Sequence, residues 1–384
     1  MNNTRTFATK ELKALAAEVV RLSRLLTRER ENLPAAYLND AGLREAYRTY
    51  FLPPNLEKVQ VPLRAITLHP GRVLEREKLR VLDLGCGPGT ASLGMLKFFE
   101  AQKNPPRLDL ITVDRVAENL TIARELFSSR LRSSNLNATL KIIRANIEDV
   151  GHLAGTPFDL IVLSNVLNEL YAHDEERIAK RTTLVKEVLD RLLSSDGSCM
   201  IIEPALRETS RELLAVRDGL LEQGVAIYAP CLYQGACPAL ANPKDWCHDD
   251  IPWDPPAAIR ELDKLAGLRK DSLKFSYLVL RKDRSRQACL YRANTFRVVS
   301  EPLISKGKIE FYFCGEGGRR PSIRLDKDGT SRNEAFGNLR RGDLVGLEGA
   351  IDEQKRIKIG KETDVIVQYR AARAFSVAEK DSTP

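Results

Sequence analysis

Four cysteines in the second half of the sequence have the residue type and spacing of a metal site. Cys231, Cys237 and Cys247 share one loop, with five and nine residues between them, and Cys314 follows in the strand-like run IEFYFCGEGG. Prolines in the loop restrict its backbone, so the thiolates are held in place at a small entropic cost. Thiolates are the ligands that zinc and iron–sulfur clusters share.

A fourth ligand must complete either kind of site. Besides Cys314, the candidates are Cys289 and His248. Zinc accepts a histidine, whereas a [4Fe–4S] cluster usually takes a fourth cysteine. The spacing is not that of a two-residue zinc knuckle. Spacing alone therefore leaves the metal, the fourth ligand and the alternative of buried structural thiols open.

The number of cysteines and the composition limit the class of protein. Seven cysteines, unevenly spread over 384 residues, are too few for a disulfide scaffold. The N-terminal sequence lacks the apolar core of a signal peptide, and no run of about 18 apolar residues predicts a membrane span. Cys86 and Cys199 lie in apolar surroundings and are predicted to be packing residues.

A glycine-rich loop supplies a second site. In VLDLGCGPGT, Gly85, Gly87 and Gly89 allow a sharp turn and a close approach of the backbone to a ligand. Asp83 ends the strand before this loop. Asp114 ends the next strand, where an acid can accept hydrogen bonds from ribose hydroxyls. The pattern predicts a site for a nucleotide-like cofactor.

Alternating strands and helices must position both sites. Five strand–helix units follow one another from Leu79, which predicts an α/β fold with a parallel, doubly wound sheet. The runs LKFSYLVLRK and NTFRVVSEP are expected to close this sheet. The preceding region has helical periodicity, and Pro53 and Pro54 are expected to break its helices.

The change in predicted secondary structure along the chain indicates three domains. They are an N-terminal helical segment, 1–75; an α/β domain, 76–302, with a Cys-rich loop, 228–256; and a basic, β-rich and OB-like module, 303–384.

Positive charge is concentrated in the C-terminal part. The net charge is +8. From Arg281 onward there are 22 Lys and Arg against 15 Asp and Glu, a balance of +7, whereas the preceding residues carry 38 against 37, a balance of +1. Such an excess is typical of a surface that contacts phosphates, although a solvated basic surface has the same composition.

The glycine loop resembles motif I of class I S-adenosylmethionine (SAM) methyltransferases, because its pattern is G-x-G-x-G with an aspartate two residues earlier. The resemblance implies a Rossmann-like sheet that binds SAM, with Asp114 on the ribose. It further implies adenine contacts from Asn146, Ile147 and Glu148, and methionine or substrate contacts from Ser164, Asn165 and Asn168. The run SNVLNELY replaces the Asn/Asp-Pro-Pro-aromatic motif of amino methyltransferases, so whether the protein is an active enzyme stays open.

The whole chain resembles the methyltransferase-like small-subunit ribosome assembly factors of mitochondria and their bacterial relatives. The resemblance rests on AYLNDAGLREAYRTYFLPP, VLDLGCGPGTAS, SNVLNEL, IIEPA, APCLYQGACP with DWCH, SYLVLRK and FCGEGG. It implies a [4Fe–4S] cluster with Cys231, Cys237, Cys247 and Cys314 as ligands. Leu232-Tyr233 and Arg341-Gly342-Asp343 depart from the family pattern.

These observations predict a SAM-methyltransferase-fold iron–sulfur protein that binds small-subunit rRNA and assists ribosome assembly and translation. The candidate phosphate ligands are Arg319, Arg320, Arg324, Arg340 and Arg341. Two alternatives are an active RNA methyltransferase and a metal-stabilised protein-binding scaffold. We expect a monomer without membrane contact, in the cytoplasm or alternatively in the mitochondrial matrix.

Overall fold

The N-terminal part of the molecule is helical, as expected. The computed structural model describes residues 9–34, 36–148, 153 and 157–372. Its first helices are α1 (Thr9–Thr27), α2 (Ala41–Ala46) and α3 (Leu52–Thr67). In α1 the apolar residues Leu15, Val19 and Leu22 recur at helical spacing and are buried against the rest of the molecule.

The proline pair does not interrupt this helical region. A π-helical turn, Tyr47–Phe51, joins α2 directly to α3, and Pro53 and Pro54 lie in the first turn of α3. The helical chain continues through the prolines by a local change from α-helical to π-helical geometry in the turn that precedes them. The expectation that these prolines break the helix is therefore wrong.

An eight-stranded sheet forms the α/β domain. Its strands are β1 (Lys78–Leu84), β2 (Arg107–Asp114), β3 (Ala138–Arg144), β4 (Phe158–Ser164), β5 (Leu193–Pro204), β6 (Ile227–Ala229), β7 (Asp249–Pro252) and β8 (Ser272–Arg281). The order is β3-β2-β1-β4-β5-β8-β6, with β7 paired to β8. Strands β1 to β5 run parallel, and β8 lies antiparallel between β5 and β6.

Helices cover both faces of this sheet. They are α4 (Thr90–Glu100), α5 (Ala117–Arg132), α6 (Arg177–Leu192), α7 (Arg207–Glu222) and α8 (Ala257–Ala266). Val59 of α3 and Phe99 of α4 belong to the core on one face, and Val185 of α6 and Leu220 of α7 belong to the core on the other. The predicted doubly wound α/β sheet is confirmed.

A second sheet follows. Its strands are β9 (Thr295–Val298), β10 (Leu303–Ser305), β11 (Lys308–Gly315), β12 (Gly318–Leu325), β13 (Leu344–Glu348), β14 (Ile351–Asp352), β15 (Ile357–Ile359) and β16 (Asp364–Tyr369). The order is β14-β15-β12-β11-β9-β13-β16 around a core that contains Phe311, Phe313 and Phe336. Because β9 pairs with β11 and β13, the expectation that it closes the first sheet is wrong.

No helix in the described ranges is long and apolar enough to cross a membrane.

Candidate cofactor cleft and cysteine centre

The glycine loop is fastened to the end of β2. Gly85, Gly87 and Gly89 all have left-handed backbone conformations, with φ of +67°, +52° and +81°. The Gly85 N–H donates to the carbonyl oxygen of Val113 at 2.8 Å, and the Gly87 N–H donates to Asp114 Oδ2 at 2.8 Å. The loop therefore turns sharply at the N-terminus of α4, the geometry that suits close approach of a ligand.

The two aspartates of this site have different surroundings. Asp83 is buried and accepts hydrogen bonds from the Ser92 N–H at 3.1 Å and the Ser92 hydroxyl at 2.6 Å, so it fastens α4 to β1. Burial raises the pKa of Asp83 to about 6. Asp114 instead lies beside the glycine loop and also accepts from the Val116 N–H at 2.8 Å. A ribose-binding role for Asp114 stays a prediction.

The residues expected beside adenine follow β3. Asn146 donates to Glu148 Oε2 at 3.0 Å and accepts from the Glu148 N–H at 3.2 Å, which makes a tight turn. Both side chains are exposed, whereas Ile147 is buried. This turn lies at the carboxyl edge of the sheet, on the same edge as Asp114.

The loop after β4 forms the opposite wall of the cleft. Ser164 and Asn165 are half-buried, and Asn165 has a φ of +56°. Next, the Leu167 N–H donates to Glu203 Oε1 at 3.0 Å, and the Asn168 amide donates to Glu203 Oε2. Burial raises the pKa of Glu203 to about 7. The sequence analysis did not identify Glu203 as the anchor of this loop. A glutamate inside the apolar strand run IIEP is unusual, and this signal could have indicated it.

Arg181 of α6 stabilises the loop after β4 through hydrogen bonds to its backbone. Its guanidinium donates to the carbonyl oxygens of Asn168 and Leu170, both at 2.8 Å, and to Glu212 at 2.7 Å. Arg181 is fully buried, so its charge is satisfied only by these contacts among the described residues. The wall is therefore pre-organised by a buried charged network.

The N-terminal segment contacts both the start of α4 and the loop after β4. The Tyr47 hydroxyl lies 2.8 Å from Thr90 Oγ1, at the first residue of α4, and the Tyr37 ring contacts the Tyr47 ring edge-on at 6.5 Å. The Arg30 guanidinium donates to Asn168 Oδ1. Burial raises the pKa of Tyr37, and the nearby Tyr47, Glu169 and Asp114 add to this effect. These contacts between distant parts of the chain could not be seen in the sequence.

The thiols of the four cysteines of the predicted centre influence one another's pKa values. Burial and the neighbouring thiols Cys231 and Cys247 raise the pKa of Cys237, to about 12. Burial raises the pKa of Cys314 too, with contributions from Cys231, Cys247 and Cys237. Cys289 is exposed. Within the described residues, however, no group of three or more His, Cys, Asp or Glu side chains could hold a metal ion as arranged.

Two arginines of α7 hold the Cys-rich loop. Arg211 donates to four of its carbonyl oxygens, those of Ala239, Leu240, Asn242 and Asp245, at 2.7–3.2 Å. Fully buried Arg217 donates to the carbonyl oxygens of Tyr233 and Gly235, and the charges of Cys231 and Cys237 help to raise its pKa against burial.

The β11–β12 hairpin meets the same loop. Gly318, in the turn after Cys314, lies against Pro238 and Tyr233, since a Cβ added there would come within 3.8–3.9 Å of both side chains. Neither α7 arginine nor this hairpin contact was predicted, because all of them are long-range in sequence.

Most of the predicted phosphate-binding arginines have protein partners. Arg319 pairs with Asp245 and lies over the Tyr312 ring, Arg320 pairs with Asp352, Arg324 donates to the Asn333 carbonyl at 2.7 Å, and Arg341 donates to the Val299 carbonyl at 2.7 Å. Arg340 is exposed. An RNA role for these five side chains stays a prediction.

The strand order, the glycine loop and the acid at the end of β2 define a SAM-methyltransferase fold. The family described as "Mitochondrial small ribosomal subunit Rsm22" matches residues 44–343, which is most of the chain. The protein belongs to this family, and the family resemblance read from the sequence is confirmed. The chain matches none of the curated proteins with which it was compared.

Several solved methyltransferase structures are distantly similar. The plantazolicin methyltransferase BpumL is 13% identical over 71% of this chain and 98% of its own, with a TM-score of 0.37. An rRNA methylase from Streptococcus thermophilus is 14% identical over 57% and 94%, with a TM-score of 0.30. A putative SAM-dependent methyltransferase from Methanococcus maripaludis is 13% identical over 65% and 93%, with a TM-score of 0.36.

Proposed function

We propose that this protein binds SAM and a [4Fe–4S] cluster, contacts small-subunit rRNA, and assists assembly of the small ribosomal subunit. The observation that carries the proposal is the family match over residues 44–343, whose description names the mitochondrial small ribosomal subunit. The same description favours the mitochondrial matrix over the cytoplasm as the compartment. We propose that the protein acts as a monomer on the ribosomal particle.

SAM would occupy the cleft between the glycine loop and the N-terminal segment. Asp114 would bind the ribose hydroxyls, the turn at Asn146 and Ile147 would border the adenine, and Ser164 and Asn165 would face the methionine end. The left-handed glycines support this placement, since Gly87 has nothing within 4 Å of an added Cβ and leaves room for a ligand.

The chemistry of the cysteine centre fits an iron–sulfur cluster. Cys231, Cys237, Cys247 and Cys314 would supply four thiolates, which is the usual ligand set of a [4Fe–4S] cluster. Arg217 and Arg297 are buried cations with raised pKa values, to which their ion-pair partners Asp218 and Asp249 contribute together with the cysteines. Buried cations would offset the negative charge of a thiolate-bound cluster. Zinc is the alternative occupant of the same four thiols.

Metal analysis tests the cysteine centre. Anaerobically purified protein is expected to be brown, with about four iron and four acid-labile sulfide per chain. Cys314→Ser is expected to lose iron as fully as Cys231→Ser, whereas Cys289→Ser, at an exposed cysteine, serves as the matched control and keeps it. Zinc without sulfide would contradict the cluster, and loss of iron in Cys289→Ser would contradict the ligand set.

The phosphate-binding surface would combine Arg340 with exposed lysines at one end of the second sheet. Lys306 precedes β11, Lys327 follows β12 and Lys361 follows β15, and all three are exposed. The pairing of Lys308 with Leu325 and of Arg324 with Ile359 brings these strand ends together. Asp326 and Asp328 share this end and lower its net charge.

Salt-dependent binding tests this surface. The slope of log Kd against log salt for small-subunit rRNA is expected to fall by about 1 for each phosphate contact removed, so Lys306→Ala/Lys327→Ala/Lys361→Ala should lower it by roughly 2–3. Lys103→Ala, at an exposed lysine of the α/β domain, is the control. Failure to bind rRNA at low salt would contradict the proposal and favour a protein-binding scaffold.

The second candidate function is RNA methylation. It is favoured by the left-handed glycine loop, which is hydrogen-bonded to Asp114, and by the loop after β4, which is anchored on Glu203. Transfer of label from methyl-labelled SAM to rRNA, lost in Asp114→Asn, would support an active enzyme. Binding of SAM without transfer would restrict the cofactor to a structural role.

A further inference from the structure

Two oppositely charged side chains lie at the loop after β4. Arg30, in a short 3₁₀ turn of the N-terminal segment, is half-buried and reaches Asn168 in the loop after β4. The next residue, Glu169, ends the 3₁₀ turn Leu167–Glu169 and is exposed. Desolvation by the neighbouring protein raises the pKa of Glu169, and the positive charges of Arg30 and Arg115 oppose that rise.

These side chains lie where one end of the cofactor must be. SAM consists of adenine, ribose and an amino-acid end that carries both a carboxylate and an ammonium group. With the adenine beside the turn after β3 and the ribose on Asp114 at the end of β2, as proposed above, the amino-acid end extends across the glycine loop after β1 toward the loop after β4, because the strand order is β3-β2-β1-β4. Glu169 follows in the same loop, and its charge also acts on Tyr37 above the cleft.

We propose that Arg30 and Glu169 form a clamp for the amino-acid end of SAM, and this rests on the proposed binding of SAM in the cleft. Arg30 binds the α-carboxylate, since a planar guanidinium offers two parallel N–H donors to a carboxylate. Glu169 accepts from the α-ammonium group. Because Arg30 comes from the N-terminal segment, cofactor binding ties that segment to the α/β domain.

Ligands that differ only at the amino-acid end test the clamp. S-adenosylhomocysteine carries this end, whereas 5′-methylthioadenosine keeps the adenosine and lacks the carboxylate and ammonium. Isothermal titration of the full chain with both ligands is expected to show that Arg30→Ala weakens S-adenosylhomocysteine binding roughly 10- to 100-fold, the value of a charge-assisted hydrogen bond. Binding of 5′-methylthioadenosine should stay within about threefold.

A matched control and a second variant complete the design. Arg28→Ala removes an exposed arginine two residues away and should change neither affinity. Glu169→Gln keeps the size of the side chain and should reproduce the selective loss. The clamp is refuted if Arg30→Ala binds S-adenosylhomocysteine like the wild type, or if it loses both ligands by the same factor. If the wild type binds neither ligand, the result contradicts the proposed SAM site as well as the clamp.

Discussion

Gly85 and Gly87 are chemically identical residues of one loop with different neighbours. Both have left-handed backbones, yet a Cβ at Gly85 would lie 2.3 Å from Val166 Cγ2, whereas one at Gly87 meets nothing within 4 Å. The β-branched Val166 cannot swing its methyl away without moving its backbone. At the residue scale, Gly85 is therefore required by packing as well as by conformation.

Alanine substitutions separate these two requirements. Gly87→Ala is expected to lower the free energy of unfolding by about 1–2 kcal/mol, the cost of a left-handed alanine. Gly85→Ala should lower it by roughly 2–5 kcal/mol, because overpacking is added. Denaturant unfolding measures both values. The double variant Gly85→Ala/Val166→Ala should regain part of the loss, and equal effects of the two single variants would contradict the packing argument.

Glu203 makes stability depend on pH. Its pKa in the folded protein is about 7, above the ordinary value of about 4.3, so folding disfavours its charged form. The protonated group contributes stability that is complete below about pH 4 and is lost as pH rises toward 7. The stability of Glu203→Gln relative to wild type should therefore improve by roughly 2–3 kcal/mol between pH 5 and pH 8.

Urea unfolding at the two pH values checks this expectation. Glu208→Gln, at an exposed glutamate of α7, should show the same pH dependence as the wild type. A pH-independent difference between Glu203→Gln and wild type would mean that Glu203 ionises normally in the folded protein.

Some functional residues could be predicted from the sequence and others could not, for a physical reason. The glycine loop and Asp114 are marked locally, because the glycines are consecutive in the chain and the acid ends a clear strand. Arg30 and Glu203 meet at the loop after β4 only through the fold. The charge excess indicated basic side chains in the last hundred residues, but it could not show that a partner such as Asp245 already occupies Arg319.

At the scale of elements, α7 organises the Cys-rich loop. Arg211 and Arg217 reach carbonyl oxygens along most of the loop, and Asp218 accepts from the Cys237 N–H at 2.9 Å. Between β6 and β7 the loop has only a short 3₁₀ turn, Pro238–Ala241, so its backbone groups there depend on these side chains. We therefore expect the loop to keep its shape without the proposed cluster.

Loss of Arg211 should release the loop without unfolding the sheet. Arg211→Met leaves several carbonyl oxygens without their donor, and we expect cleavage between residues 231 and 247 to accelerate on limited proteolysis, with a loss on the order of 2 kcal/mol in local stability. Arg207→Met, one turn earlier on α7 and exposed, is the control. Unchanged cleavage in Arg211→Met would show that the metal centre alone holds the loop.

How well a strand could be assigned from the sequence depended on whether its own residues were enough or its pairing partners had to be known. Strands β1 to β5 could each be placed from their own residues, because each contains apolar residues in a run and α-helices follow β1, β2, β4 and β5. β9 is a four-residue strand whose partners, β11 and β13, were needed to assign it to the second sheet. The proline pair was misjudged because the π-helical turn before α3 leaves no local signature.

At the scale of the whole molecule, a buried ion pair joins the two sheets. Arg297 of β9 donates to Asp249 of β7 at 2.5 Å, and both side chains are almost fully buried. Arg319 and Arg341 of the second sheet add contacts to Asp245 and to the His248 carbonyl. Cys247 precedes β7 and Cys314 lies in β11, so the relative position of these two thiols depends on the contacts between the sheets.

Removing one partner of the buried pair should therefore loosen the whole assembly. Asp249→Ala leaves the Arg297 charge buried and unpaired, and we expect a loss of roughly 3–5 kcal/mol in the free energy of unfolding. Asp254→Ala, which breaks an exposed pair with Arg260, should cost about 0–1 kcal/mol. Hydrogen exchange should accelerate in β9 and β11 before it does in β1 and β4, because the second sheet loses its anchor to the first. Uniform acceleration in both sheets would instead show that they unfold as one cooperative unit.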